Sequence, residues 1–173
     1  MMLLFFLLLV TGVFALSCAS GKIDRRTVRV MSPEGLLGRW YELARFDHRF
    51  ERGMTDVEAN YSFLPDGSIR VENSGRDLES GEPRTAVGHA KFTDDPGRLR
   101  VSFFWKFYSD YNILERDPAG GWMLIGSSSP RYLWILSRTP TLPAPVFDHI
   151  LEQARLRGYD TSKLLISKAQ QEV

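Results

Sequence analysis

Gly38-Arg39-Trp40-Tyr41-Glu42-Leu43-Ala44-Arg45-Phe46 reads as a β-strand that starts at the plugged end of a barrel. Gly38 permits a sharp entry, because it has no Cβ to penalise unusual φ. Side chains alternate between the two faces of a strand, so Trp40, Glu42, Ala44 and Phe46 share one face and Tyr41 and Leu43 the other. A large residue at the base with smaller ones above it suits a barrel interior. Trp40 fills the bottom, and Ala44 leaves space.

Moving outward from this strand, the same two-residue period recurs. Val57, Ala59, Tyr61 and Phe63 alternate with Glu58, Asn60 and Ser62. Pro65-Asp66-Gly67 turns the chain, since Pro presets φ and Gly supplies positive φ. Further strands are expected over 69–73, 88–92, 99–103, 111–115, 122–126 and 132–138, separated by Gly, Pro, Asp and Ser clusters. That makes an eight-stranded antiparallel meander. One helix follows, over 146–157, with Val146, Phe147, Ile150, Leu151 and Ala154 as its apolar stripe and Gly158 as its stop. Upstream of the first strand, Ser32-Pro33-Glu34 has the N-cap and N1 residues of a short helical turn that would close one barrel end.

A length of 173 residues fits one domain with a sizeable core. The net charge of +1 gives no electrostatic case for nucleic acid. Aromatics at 12% favour strands around an apolar space over a helical bundle. Cys18 is the sole cysteine, which excludes an intrachain disulfide.

Leu3 to Leu16 is apolar apart from Thr11 and Gly12, the length of a secretory h-region and too short to span a membrane. Residues 1–17 are read as a lipoprotein-type signal peptide. Cys18 stands directly after it, in a setting that resembles a bacterial lipobox, and would carry the lipid anchor. A plain signal peptide and an uncleaved anchor are the alternatives. Ala19 resembles the outer-membrane sorting pattern. Residues 18–30 are then a polar, basic tether or extended arm, and 31–173 the folded domain.

Three blocks of residues carry a resemblance. Gly38-Arg39-Trp40, continued by Tyr41-Glu42-Leu43-Ala44-Arg45-Phe46 and Asp47-His48-Arg49-Phe50-Glu51-Arg52-Gly53, is similar to the first lipocalin block. Ser109-Asp110-Tyr111-Asn112 stands where the family has Thr-Asp-Tyr. Tyr132 to Pro140 resembles the third block. The chain is identified as a member of the lipocalins, most similar to the bacterial outer-membrane, apolipoprotein D-like branch. The resemblance implies an eight-stranded up-and-down calyx with a C-terminal helix packed outside it. It also implies that Arg138 packs over Trp40 as a structural pair closing the barrel; such a cation–π contact contributes about 0.5–2 kcal/mol. Trp105-Lys106 departs from the Gly-Pro common in relatives and puts an aromatic and a cation near the rim.

With the face of Trp40 taken as inward, the expected cavity lining is Ala44, Phe46, Ala59, Tyr61, Val71, Asn73, Gly88, Ala90, Phe92, Val101, Phe103, Tyr111, Ile113, Tyr132 and Trp134. A barrel packed solid would need more Leu and Ile among them, so a cavity is expected. At the rim, Arg45, His48, Arg49, Arg52 and Lys106 are candidates to meet a ligand headgroup. The family implies binding, storage or transport of fatty acids or lysophospholipids in the bacterial envelope. The outer-membrane bilayer is the partner of Cys18 at the periplasmic face, and a homodimer is kept as a further partner.

Catalysis is not expected. His48, His89 and His149 have no metal-ligand spacing, and no cofactor motif is present. Glu42 and Glu115 are candidates for inward carboxylates, each more simply paired with an Arg. The alternative function is a lipocalin-fold enzyme acting on a lipid or isoprenoid.

Overall fold

The computed structural model describes residues 22–29, 31–104 and 107–173. Cys18, the signal segment, Trp105 and Lys106 lie outside them. Eight antiparallel strands close into a barrel: β1 (Gly38–Phe46), β2 (Met54–Phe63), β3 (Ile69–Asp77), β4 (Pro83–Phe92), β5 (Arg98–Ser102), β6 (Ser109–Arg116), β7 (Trp122–Gly126) and β8 (Leu133–Ser137). Each pairs with the next, and β1 pairs with both β8 and β2 to shut the circle. Helix α1 (Ala144–Leu156) follows β8, and Gly158, at φ 91°, lets the chain turn away beyond it.

Two later elements are absent from the sequence reading. A three-residue strand β9 (Leu164–Ile166) pairs with Ala44–Phe46 of β1, where β2 has already parted from it. A short helix α2 (Lys168–Gln171) then places Gln170, whose side-chain amide accepts from Leu142 N at 2.6 Å and donates to Leu142 O at 3.0 Å. Three residues are too few to show a period, which is why β9 left no signal.

Two separate cores result. The outer one packs Leu43, Ala44, Phe46, Leu124 and Ile135 of the barrel wall under Phe147, Ile150 and Ala154 of α1. The inner one fills the barrel around Trp40. Residues 22–29 lie along the barrel as an arm. Asp24 N donates to Arg157 O and Val28 N to Ile113 O, both at 2.9 Å, and Thr27 Oγ1 donates to Asp95 Oδ1 at 2.7 Å. Gly97 is needed where the arm crosses, since a Cβ there would stand 2.6 Å from Thr27 Cβ and Val28 O.

Candidate ligand-binding site

The barrel has one closed end and one mouth. At the closed end the 3-10 turn Pro33–Leu36 is capped by Ser32, whose hydroxyl accepts from Gly35 N. Trp40, 1% exposed, donates from Nε1 to Leu36 O at 2.8 Å. The Arg138 guanidinium carbon lies 3.7 Å from the centroid of the Trp40 ring. Its Nη1 donates to Arg39 O at 2.7 Å and its Nη2 to Gly35 O at 3.0 Å. One arginine thus covers the plug and satisfies two carbonyls that the barrel end leaves free. Gly38 adopts φ 84°, a conformation that favours glycine.

Above the plug the barrel is packed more fully than the sequence reading anticipated. Ile69, Leu99, Met123, Ile125 and Leu136 join Trp40, Ala59, Val71, Ala90 and Ile113 in the inner core. All of these added residues stand two positions from a residue already assigned inward, or continue a strand whose phase was not assigned. The base is therefore a solid core, and any ligand space lies nearer the mouth.

The mouth is formed by segments 47–53, 78–82, 103–104 with 107–108, and 127–132, which lie between alternate strand pairs of the up-and-down barrel. Tyr61 from β2 and Tyr111 from β6, on opposite walls, bridge the interior with a 3.0 Å hydroxyl–hydroxyl bond. Burial pushes the Tyr61 hydroxyl up to about 12, and raises the Tyr111 hydroxyl as well. Tyr111, Val101, Asn73 and Trp134 point into the closed barrel yet remain only half-buried. Inward side chains of a closed barrel keep accessible surface only where the interior itself admits solvent.

The phase of β1 is the main correction. Glu42 pairs with Leu136 and Ala44 with Ile135, so β1 uses one extra residue, a β-bulge at Leu43. Side chains beyond a bulge exchange faces. Ala44 and Phe46, expected in the cavity, therefore pack outside, under α1. Phe46 instead lines an outer hollow of about 510 Å³ together with Ile23, Arg131 and Tyr159. Arg45, expected at the rim, turns into the barrel opposite Trp134 and is 7% exposed. His48 is also withdrawn, at 6%.

These two residues are held in a buried network. Arg45 Nη1 donates to Glu42 Oε1 at 2.7 Å, and Nη2 donates to Glu51 O and Met54 O, each at 3.0 Å. Glu51 Oε2 lies 3.0 Å from His48 Nε2 and accepts from Trp134 Nε1 at 3.2 Å. Tyr132 stacks on Trp134 with ring centroids 5.8 Å apart, and the His48 ring stands 5.5 Å and 5.1 Å from the two. Burial, then the neighbouring Glu51, raise the Glu42 carboxyl against the opposing pull of Arg45. Burial also acts to raise Glu51, but His48, Trp134 and Arg45 together outweigh it and hold it low. Glu51 sat unmarked in a charged loop, because its inward direction comes from Arg45 and Trp134 and from no local pattern.

The remaining candidates fall into place around this network. Ala59, Tyr61, Val71, Ala90 and Ile113 are inside and buried, and Gly88 is buried against Ser102 O and the Phe103 ring. Phe92, at the end of β4, and Phe103, just past β5, are 39% and 42% exposed. Arg49 lies over the exposed Phe50 ring, and Arg52 pairs with Asp47 at 3.0 Å, both at the surface. Glu115 was a candidate for the interior; a bulge at Leu114 turns it outward, where Arg157 Nη2 donates to it at 2.6 Å.

Comparison with known proteins agrees with this architecture. Residues 34–169 match the family of the lipocalin-like domain. The chain is 42% identical over 137 residues to the outer membrane lipoprotein Blc of Vibrio cholerae, spanning 78% of this chain and 80% of that one. It is 41% identical over 160 residues to the Blc lipoprotein of Escherichia coli K12, spanning 90% of each. Among solved structures, insecticyanin of the tobacco hornworm Manduca sexta superposes with a TM-score of 0.68 at 18% identity, over 84% of each chain. The chain belongs to the lipocalin family, whose members characteristically hold small hydrophobic molecules in the calyx, and within it stands with bacterial outer-membrane lipoproteins of the Blc kind.

Proposed function

We propose that the chain binds and stores or carries single-chain amphiphiles, namely fatty acids and lysophospholipids, in the upper half of its barrel, without catalysing their conversion. The observation that carries this reading is the partial exposure of the inward-facing Tyr111, Val101, Asn73 and Trp134 above an apolar, fully packed base. An acyl chain suits such walls, since each buried methylene contributes about 0.8 kcal/mol and asks for no polar partner. The names of the Vibrio and Escherichia relatives support a place at the outer membrane. Attachment there, at the periplasmic face, is assigned to lipidation of Cys18.

Full-length protein purified from membranes is to be extracted with solvent and its lipids identified by mass spectrometry. Co-purified fatty acid or lysophospholipid at about one per chain is expected. Finding none, together with no displacement of an apolar fluorophore by palmitate or a lysophospholipid, would overturn the reading. Cys18→Ser is expected to release the protein from the membrane fraction, and undiminished retention contradicts the anchor.

A further inference from the structure

We infer that the mouth of the barrel selects single-chain amphiphiles whose polar end is a positively charged nitrogen over those ending in a carboxylate. This rests on the amphiphile-binding reading above and names the headgroup class for that same site.

Charge partners set this preference. Two carboxyl groups, Glu42 and Glu51, are buried in the upper barrel, 8% and 9% exposed. Arg45 is the one guanidinium among the described residues inside it, and its Nη1 and Nη2 bonds go to Glu42 and to two backbone carbonyls. Its Nε lies 3.9 Å from Glu51 Oε2. His48 Nε2 is turned to that same oxygen. A carboxylate headgroup entering here would be a third acid beside two, with Arg45 and His48 already turned to those two. In a low-dielectric interior such a like-charge approach is costly. An ammonium group meets the opposite situation. It balances the acid pair, and the half-buried faces of Trp134 and Tyr132 offer the aromatic surface that attracts such cations. Burial and then Glu51 lift the Glu42 carboxyl to about 8, so the pair carries its full negative charge only above that pH, and the preference for the ammonium is greatest there. The net charge of the chain is only +1 and positive, so overall electrostatics would not draw in a cation.

Matched twelve-carbon ligands test this on the full-length protein: dodecyltrimethylammonium, dodecanol and dodecanoate. Each is titrated below its micelle concentration against a bound apolar fluorophore at about pH 9, above the raised Glu42 value. The ammonium ligand is expected to bind at least about tenfold tighter than dodecanoate, equivalent to roughly 1.4 kcal/mol, with dodecanol between them. Glu42→Gln should shrink that ratio to within about threefold, and Trp134→Leu should weaken the ammonium ligand more than the alcohol. Equal affinities, or dodecanoate binding tightest, would overturn the selectivity and leave the amphiphile-binding reading standing. Failure of all three to displace the fluorophore would overturn that reading, and the selectivity with it. The ligand series on the unaltered protein decides the matter even if a variant fails to fold.

Discussion

Arg45 lies directly opposite Trp134 in the β1–β8 pairing, inside the barrel, although strict alternation from Trp40 would have sent it outside. The one-residue bulge at Leu43 brings it there, and its bonds to Glu42, Glu51 O and Met54 O tie β1 to the first mouth loop and to the start of β2. Replacing it with Met strands two buried acids. Breaking a buried ion pair on one side typically costs about 3–5 kcal/mol. Urea unfolding of Arg45→Met is expected to show a loss of that order, and a change within about 0.5 kcal/mol would mean that the guanidinium is solvated in the folded protein.

Glu42 should make stability fall as pH rises. Its carboxyl is shifted from an ordinary 4.5 to about 8 in the folded chain. A group raised on folding contributes its full stability below the unfolded value and loses it as pH climbs through the folded one. The Glu42 contribution therefore declines between about pH 4.5 and pH 8. Glu51, held low, acts the other way and loses its contribution only on acidification. Glu42→Gln should gain on the wild type between pH 5 and pH 9 by at least about 1 kcal/mol, roughly 2–4 °C in Tm. Parallel melting curves across that range would contradict the shift.

Phe46 belongs to the outer core and not to the barrel interior. It packs with Tyr159, ring centroids 6.2 Å apart, under α1. Phe46→Ala is expected to cost about 3–5 kcal/mol, as deletion of a buried aromatic does. Amphiphile affinity of the folded fraction should stay within about threefold of the wild type. A larger loss of affinity, measured where the variant is still fully folded, would put Phe46 back on the cavity wall.

Arg138 should not be replaceable by Lys. Its planar guanidinium covers the Trp40 ring and donates to Arg39 O and Gly35 O at once. A lysine ammonium lacks the fork that reaches both carbonyls. Arg138→Lys is expected to lose about 1–2 kcal/mol and Arg138→Leu about 2–4, from the cation–π contact and two unpaired acceptors. Equal stability of the Lys variant and the wild type in denaturant unfolding would show that charge alone suffices at the plug.

Gly38 to Trp40, the two-residue alternations, the turn residues between them and the late helical stripe were enough to place eight strands, a plugged end, an outer helix and the lipocalin family. Those features depend on local preference and on neighbours two or four residues away, which is information a single chain carries. The tertiary structure alone decided which residues past Leu43 and Leu114 look inward. A bulge is set by how a strand fits its partners, β8 for the first and β7 for the second, and it reverses every later side chain in that strand. Ala44 and Phe46 moved outside for that reason. Arg45 moved inside and met Glu51 and Trp134, 6 and 89 residues further along the chain. The plug was written in sequence; the acid pair beside the mouth exists only once the strands have paired.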